Sequence, residues 1–126
     1  MKRDMDLVRK ILLAMEANPQ GFFNEMPAIE GYSSDQVGYH VYLMMQAGLV
    51  EGSDVTTLGS ESPEAIPSCL TWQGHDFLDA SRDDNRWTTA KEIFRQAGGV
   101  SFEVAKEVLA KLMMTSVTTI LSGGNV

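Results

Sequence analysis

Residues 33–50 read SSDQVGYHVYLMMQAGLV, and this stretch decides the fold. Ser33, followed three residues later by Gln36, predicts a capping box at the start of a helix. Gly48 is typical of the residue just after a C-cap, so the helix is predicted to end at about the residue before it. Leu49 and Val50 are apolar and β-prone, and residues 49–51 predict a strand that leaves the helix directly.

A long polar segment separates this strand from a second one at residues 68–72. The segment, about residues 52–67, is rich in Gly, Ser and Pro, which favour turns. We therefore predict a β-hairpin with a long tip, that is, a wing. A short helix over residues 74–80 follows it, with Phe77, Leu78 and Trp72 packing inward.

Further helices are predicted on both sides of this centre. Apolar residues at helical spacing between positions 5 and 15 predict a first helix, and a short extended piece is expected around residues 28–30. Between the two lies little room for the second helix of an ordinary helix-turn-helix. Two more helices are predicted at about residues 84–96 and 102–121, with an N-cap among residues 83–85 for the first and Ser101 as the N-cap of the second.

The predicted organisation is one domain with a body and an extension. Residues 1–81 form the body with its wing loop at about 52–67, and residues 82–126 form a helical extension that packs on the body.

Four segments carry a family resemblance: YHVYLMMQAGLV at residues 39–50, LTWQGHDFL at 70–78, MKRDMDLVRKIL at 1–12, and Arg82-Asp83-Asp84 with Trp87. Over about residues 1–115 the chain closely resembles a domain of unknown function found in bacterial genomes and prophages. The resemblance implies an α+β, mostly α fold: a winged helix-turn-helix in the order α-β-α-β-β-α, with two additional C-terminal helices. It also implies a mobile-element origin, and it carries no catalytic residues.

The charge distribution argues against DNA binding, which is the usual function of a winged-helix fold. From Asn18 through Ser81 the chain has nine acidic residues and no Lys or Arg, a formal charge of −9, whereas the whole chain carries −7. DNA-binding proteins neutralise phosphates with Lys and Arg, and this segment would repel them. The same charge disfavours anionic membrane surfaces.

One side of the helix at residues 34–47 is a candidate partner-binding face, and its members are Asp35, Tyr39, Tyr42 and Gln46. Tyrosine is enriched in protein interfaces, and a polar rim around it is typical of them. The alternative is that other helices cover the two tyrosines. A candidate secondary basic patch consists of Arg82, Arg86, Lys91 and Arg95, and its alternative is an ordinary solvated helix face.

We predict no catalytic, cofactor-binding or metal site. His40 falls on the apolar side of its helix and is expected to be a satisfied core residue, His75 to order the turn after the wing, and Cys69 to be structural. Two histidines and one cysteine at unrelated spacings do not form a zinc pattern. The lone cysteine fits a reducing cytoplasm, and no apolar run reaches the ~18 residues of a membrane span.

The sequence therefore leaves two function hypotheses. The first is a non-enzymatic prophage-type protein that binds another protein, one form of which is inhibition of a host nucleic-acid-handling or defence machine. The second is a DNA-binding transcriptional regulator, in which Gln46 could read adenine. A homodimer through the C-terminal helix is expected in either case.

Overall fold

Five helices and one antiparallel hairpin make up residues 1–123, the part of the chain described by this computed structural model. The elements are α1 (Met5–Glu16), α2 (Ser34–Gln46), β1 (Val50–Asp54), β2 (Ala65–Leu70), α3 (Trp72–Ser81), α4 (Asp84–Gln96) and α5 (Phe102–Leu121). The fold is α+β and mostly helical, as predicted, and it is compatible with a small winged-helix-like fold. None of these helices is long and apolar enough to cross a membrane.

The chain divides into two compact units, Met1–Leu78 and Asp79–Val126. The division falls inside α3, three residues before the predicted end of the body. The last three residues of the predicted extension, 124–126, lie outside the described part of the chain. The packing of the extension on the body stays a prediction.

Two capped helices form the core of the first unit. The Asp4 carboxylate accepts hydrogen bonds from the backbone N–H groups at the start of α1, at 2.9 and 3.3 Å. At α2 the predicted capping box is confirmed, because Gln36 N–H donates to Ser33 Oγ and Ser33 N–H donates back to Gln36 Oε1. The apolar stripes of both helices are buried in the core: Leu7, Val8, Ile11, Leu12, Met15, Val37, Val41 and Met44.

The hairpin is longer than predicted, and its loop is correspondingly shorter. β1 and β2 pair antiparallel from Val50 opposite Leu70 to Asp54 opposite Ala65, which leaves residues 55–64 as the loop. A bulge interrupts the register after Glu51, where a β-carbon on Gly52 would overlap the Ile66 carbonyl. The predicted wing therefore exists as a hairpin, and its long polar segment is partly strand.

The end of α2 and the start of α3 are held together by the residues of the Leu-Thr-x-x-Gly motif. The Thr71 hydroxyl donates to Gly48 O and accepts from Gly74 N–H, so it caps α3 while binding the end of α2. A β-carbon on Gly74 would overlap the carbonyl oxygen of Leu49. Glycine is therefore required here by close backbone approach.

Two predictions for this junction are wrong. Trp72 was expected in a strand and packed inward, but it begins α3 and its side chain is 80% exposed. His75 was expected to order the turn, but its side chain is exposed and Thr71 makes the ordering contacts. Because Thr71 serves as the cap, the next residue projects away from the core rather than into it.

The segment before α2 also differs from the predicted order. No strand forms at residues 28–30, and residues 17–33 contain no helix. Instead, Phe23 N–H donates to Ser68 O at 2.7 Å, which ties this segment to the outer edge of β2. The order α-β-α-β-β-α is thus replaced by α-α-β-β-α in the first 81 residues.

The second unit is a helical pair. Asp83 caps α4 and Ser101 caps α5, as predicted, and the two helices pack against each other. Trp87 and Phe94 meet edge to face with ring centroids 6.2 Å apart. The buried apolar residues of this unit are Phe94, Trp87, Ala90, Ala105 and Leu109.

Candidate partner-binding surface

The four predicted residues of α2 share one side of the helix, which we call the outer face: Asp35, Tyr39, Tyr42 and Gln46. Asp35 and Gln46 are exposed, and the two tyrosines are half-buried. Neither tyrosine hydroxyl makes a hydrogen bond within residues 1–123. The outer face therefore offers two aromatic rings with open hydroxyls between polar residues at either end.

A buried histidine fixes the opposite side of α2 against α1. His40 is 1% exposed, its Nε2 accepts from Asp4 N–H at 2.8 Å, and its Nδ1 lies 2.7 Å from Gln36 O. Both contacts are satisfied by the neutral ring with its proton on Nδ1. The prediction of a satisfied core histidine is confirmed. Tyr39 packs edge-on against this ring at 6.0 Å, which explains why it is half-buried.

Tyr32, which lies just before α2, makes a polar contact with Asp4, the N-cap residue of α1. Tyr32 OH donates to Asp4 Oδ2 at 3.1 Å, and Lys10 Nζ lies 5.4 Å from the centroid of the Tyr32 ring. Burial raises the pKa of the Tyr32 phenol above its usual value, and the hydrogen bond and charge of Asp4 raise it further. Lys10 is thereby placed near the beginning of α2 as a cation held against an aromatic ring.

The hairpin brings an acidic residue onto α2 that sequence reasoning did not assign to the site. A β-carbon on Gly38 would lie 3.0 Å from Glu64 Cβ, so the residue just before β2 rests directly on the helix. Asp35 and Tyr42 are the positions one turn before and after Gly38 on the helix surface. Glu64 therefore borders the outer face, and the sequence feature that corresponds to it is Gly38, a glycine inside a helix where a β-carbon would crowd Glu64.

The hairpin loop is ordered by its own polar groups. Asp54 Oδ1 accepts from Thr56 N–H at 2.9 Å, and the hydroxyl and N–H of Thr56 hold the pKa of this carboxyl below its usual value. Thr57 and Ser60 close a turn through backbone and side-chain hydrogen bonds. This turn presents Leu58 as a fully exposed apolar residue at the tip.

Two cations of the predicted basic patch are engaged in local ion pairs. Arg82 pairs with Asp79 at 2.9 Å, and Arg95 pairs with Glu92. The hydrogen bond from Arg95 lowers the pKa of Glu92, and the same contact raises the pKa of Arg95. All four groups are exposed, so each pair contributes little to stability.

The patch residues do not share one side of α4. Lys91 and Arg95 are neighbours one turn apart, whereas Arg86 lies about 140–180° around the helix from them. Arg86 Nε donates to Ala80 O at 2.8 Å. The structure thus groups two of the four cations, and binding by the patch stays a prediction.

A cleft of about 300 Å³ lies between the end of α1 and β2, and Cys69 and His75 both line it. Burial raises the pKa of the Cys69 thiol, and the Glu51 carboxylate, 3.7 Å from its sulfur, raises it further. A nucleophilic cysteine needs the opposite shift, because the thiolate is the reactive form. Within residues 1–123, no group of three or more His, Cys, Asp or Glu is placed to hold a metal ion.

Comparison with known proteins identifies the family. The chain belongs to the family described as hypothetical protein (DUF2513), whose model matches residues 2–101. It is 32% identical over 123 residues to an uncharacterized protein of Haemophilus influenzae (strain ATCC 51907 / DSM 11121 / KW20 / Rd), covering 97% of this chain and 100% of that protein. No solved structure matches the chain. The expectation of a family of unknown function is confirmed.

Proposed function

We propose that this family member is a non-enzymatic, acidic winged-helix protein that acts by binding another protein. In this proposal α2 occupies the position of a recognition helix and the β1–β2 hairpin that of the wing. The direct passage from α2 into β1 supports the assignment, because Gly48 and Leu49 close the helix with bonds to Met45 O and Met44 O and lead straight into the strand.

The observation that carries the proposal is the charge of the surface where a winged helix would meet DNA. The outer face contains no cation, Glu64 lies against its edge, and residues 18–81 contain no Lys or Arg at all. A phosphate backbone would meet carboxylates there. A protein with a basic surface would meet complementary charge and two tyrosines able to serve as anchors.

The prophage resemblance suggests one concrete form of this activity. An acidic protein surface can occupy the basic channel of a host machine that handles nucleic acid or defends the cell. Such an inhibitor needs no catalytic group, because it works by occupying a site meant for a polyanion. We propose that it acts in the cytoplasm, where these machines operate.

The test is covalent capture at the outer face. A photo-crosslinking amino acid placed at Tyr42 in the full chain should capture a specific basic protein in cells, and the same group placed at the exposed Thr89 should not. Tyr39→Ala with Tyr42→Ala should weaken binding of the captured protein by about thirty-fold or more, as expected for hot-spot residues. Thr88→Ala with Thr89→Ala is the matched control and should bind normally. Equal capture at positions 42 and 89 would count against the proposal.

The alternative is a DNA-binding transcriptional regulator, and the helix followed by a hairpin favours it. Fluorescence anisotropy of a generic labelled duplex at low salt separates the two hypotheses, since phosphate attraction is strongest there. We expect no binding by the natural chain and measurable, salt-sensitive binding after Asp35→Lys with Glu64→Lys. Binding by the natural chain that falls steeply with salt would favour the regulator.

A further inference from the structure

The second half of α5 carries an apolar stripe that faces solvent. Its members and their exposed fractions are Met114 at 60%, Val117 at 40%, Ile120 at 69% and Leu121 at 81%. At 100° per residue the four fall within about 120° of the helix circumference. The first half of the same helix buries Ala105 and Leu109, whereas every described residue from Met114 onward is exposed.

Four hydroxyl groups on the remaining sides of this half-helix form hydrogen bonds within the helix. The hydroxyls of Thr115, Ser116, Thr119 and Ser122 each donate to a carbonyl three or four residues earlier in the same helix. The hydroxyl groups of these side chains are therefore satisfied by carbonyls of their own helix, as is common for Ser and Thr in helices. The apolar stripe is left as the side that gains most from being covered.

The charge distribution of the chain limits which kind of partner can cover the apolar stripe of α5. Residues 112–126 contain no charged residue. The first unit has eleven acidic and four basic residues, −7, and the second has six of each and is neutral. A basic partner would be drawn to the first unit, whereas a second copy would bring an equally uncharged stripe, so that their contact buries no charged side chain on either side.

We propose that this stripe binds the same stripe of a second copy in a two-fold symmetric helix pair, with Val117 near its centre. A self-complementary patch is what two-fold association requires, because the same residues face each other across the axis. The stripe spans about two turns, so it buries less than the ~800 Å² per partner of a standard interface. The dimer should therefore be weak and concentration-dependent.

The decisive measurement is sedimentation equilibrium of the full chain over a wide concentration range. The mean mass should rise from that of the 13.9 kDa chain toward twice that value. Val117→Lys with Ile120→Lys should stay monomeric throughout. Thr115→Lys with Thr119→Lys changes the charge equally on the other side and should dimerise normally. Because both pairs make the chain less negative, general repulsion cannot explain a loss of association.

A second readout keeps the result clear if a lysine variant misfolds. In a Cys69→Ser background, Val117→Cys should form an intermolecular disulfide readily on oxidation, and Thr119→Cys should form little. A natural chain that stays monomeric at high concentration would overturn the proposal. So would a dimer that survives the stripe substitutions, or equal crosslinking at positions 117 and 119.

Discussion

The two sides of α2 differ in what holds their residues in place. On the inner face, which we define as Val37, His40, Val41 and Met44, every side chain is almost fully buried and the imidazole is bonded at both nitrogens. On the outer face two tyrosine hydroxyls have no partner within residues 1–123, and the ends are exposed. The contacts that hold α2 in the fold therefore lie mostly on its inner face, and Tyr39 is the outer-face residue that also packs against the His40 ring.

The largest stability effect is expected from Met44→Ala on the inner face. Met44 is 1% exposed, so the truncation leaves a cavity and should cost about 2–5 kcal/mol of unfolding free energy. Urea denaturation followed by circular dichroism measures the loss. Gln46→Ala, two residues away on the outer face, should change stability by less than about 0.5 kcal/mol. A comparable loss of unfolding free energy in both variants would show that the two faces of α2 contribute equally to stability.

The second-largest loss of stability is expected at Gly74, where the start of α3 approaches the backbone that follows α2. Gly74→Ala should cost about 2–3 kcal/mol, because its β-carbon would collide with the Leu49 carbonyl, and backbone cannot step aside as a side chain can. Gly59→Ala in the hairpin loop is the control, since its nearest neighbour lies at 3.8 Å. Thermal unfolding of the two variants should differ clearly, and a tolerated Gly74→Ala would show that the junction is looser than described.

The two histidines give a matched pair for the third effect. His40→Leu fills similar space but leaves the partly buried Asp4 N–H without an acceptor, and it should cost about 1–3 kcal/mol. His75→Leu alters an exposed ring and should be nearly neutral. Hydrogen exchange at the Asp4 amide should speed up in the first variant only. Unchanged exchange there would mean that His40 does not hold the start of α1.

The smallest expected effect belongs to the outer face itself. Asp35 lies in the first turn of α2, where a negative charge stabilises the helix by about 0.3–1 kcal/mol at low ionic strength. Asp35→Asn should lose about that much at low salt and almost nothing at high salt. Urea melts at the two salt concentrations measure the difference, and a large salt-independent loss would show that Asp35 belongs to the fold rather than to the binding surface.

Local signals predicted the elements that depend on local chemistry. The capping box at Ser33 and Gln36, the glycine after α2 and the caps Asp83 and Ser101 are all satisfied within a few residues of chain, so spacing alone reveals them. The buried state of His40 followed from its place on the apolar side of the helix. The partners that make the caps lie within one helical turn, whereas for His40 only the side of the helix was predictable, because its partner Asp4 lies 36 positions away.

The features that sequence reasoning missed depend on distant contacts. Glu64 reaches α2 across the hairpin, and Phe23 binds Ser68 from 45 positions away. The strand expected at residues 28–30 had the right composition but found no partner in the structure. Trp72 was misplaced because the cap at Thr71 set the helix start, and the apolar character of its ring suggested burial.

For the candidate site, the four residues on α2 were found from helical spacing, while their acidic neighbour Glu64 was not. The predicted basic patch was drawn from spacing as well, yet Arg86 lies on another side of α4 from Lys91 and Arg95. Periodicity assigns residues to a face, and only the structure shows which other element borders that face.

The turn that carries Leu58 gives the molecule a convenient place for protein engineering. Its hydrogen bonds close between Thr57 and Ser60, and a β-carbon on Gly59 would meet nothing nearer than 3.8 Å. A short epitope or a fluorophore-binding sequence grafted between these two residues should leave the rest of the hairpin intact. Such a graft would let the protein be tracked in living cells with both chain ends left unmodified.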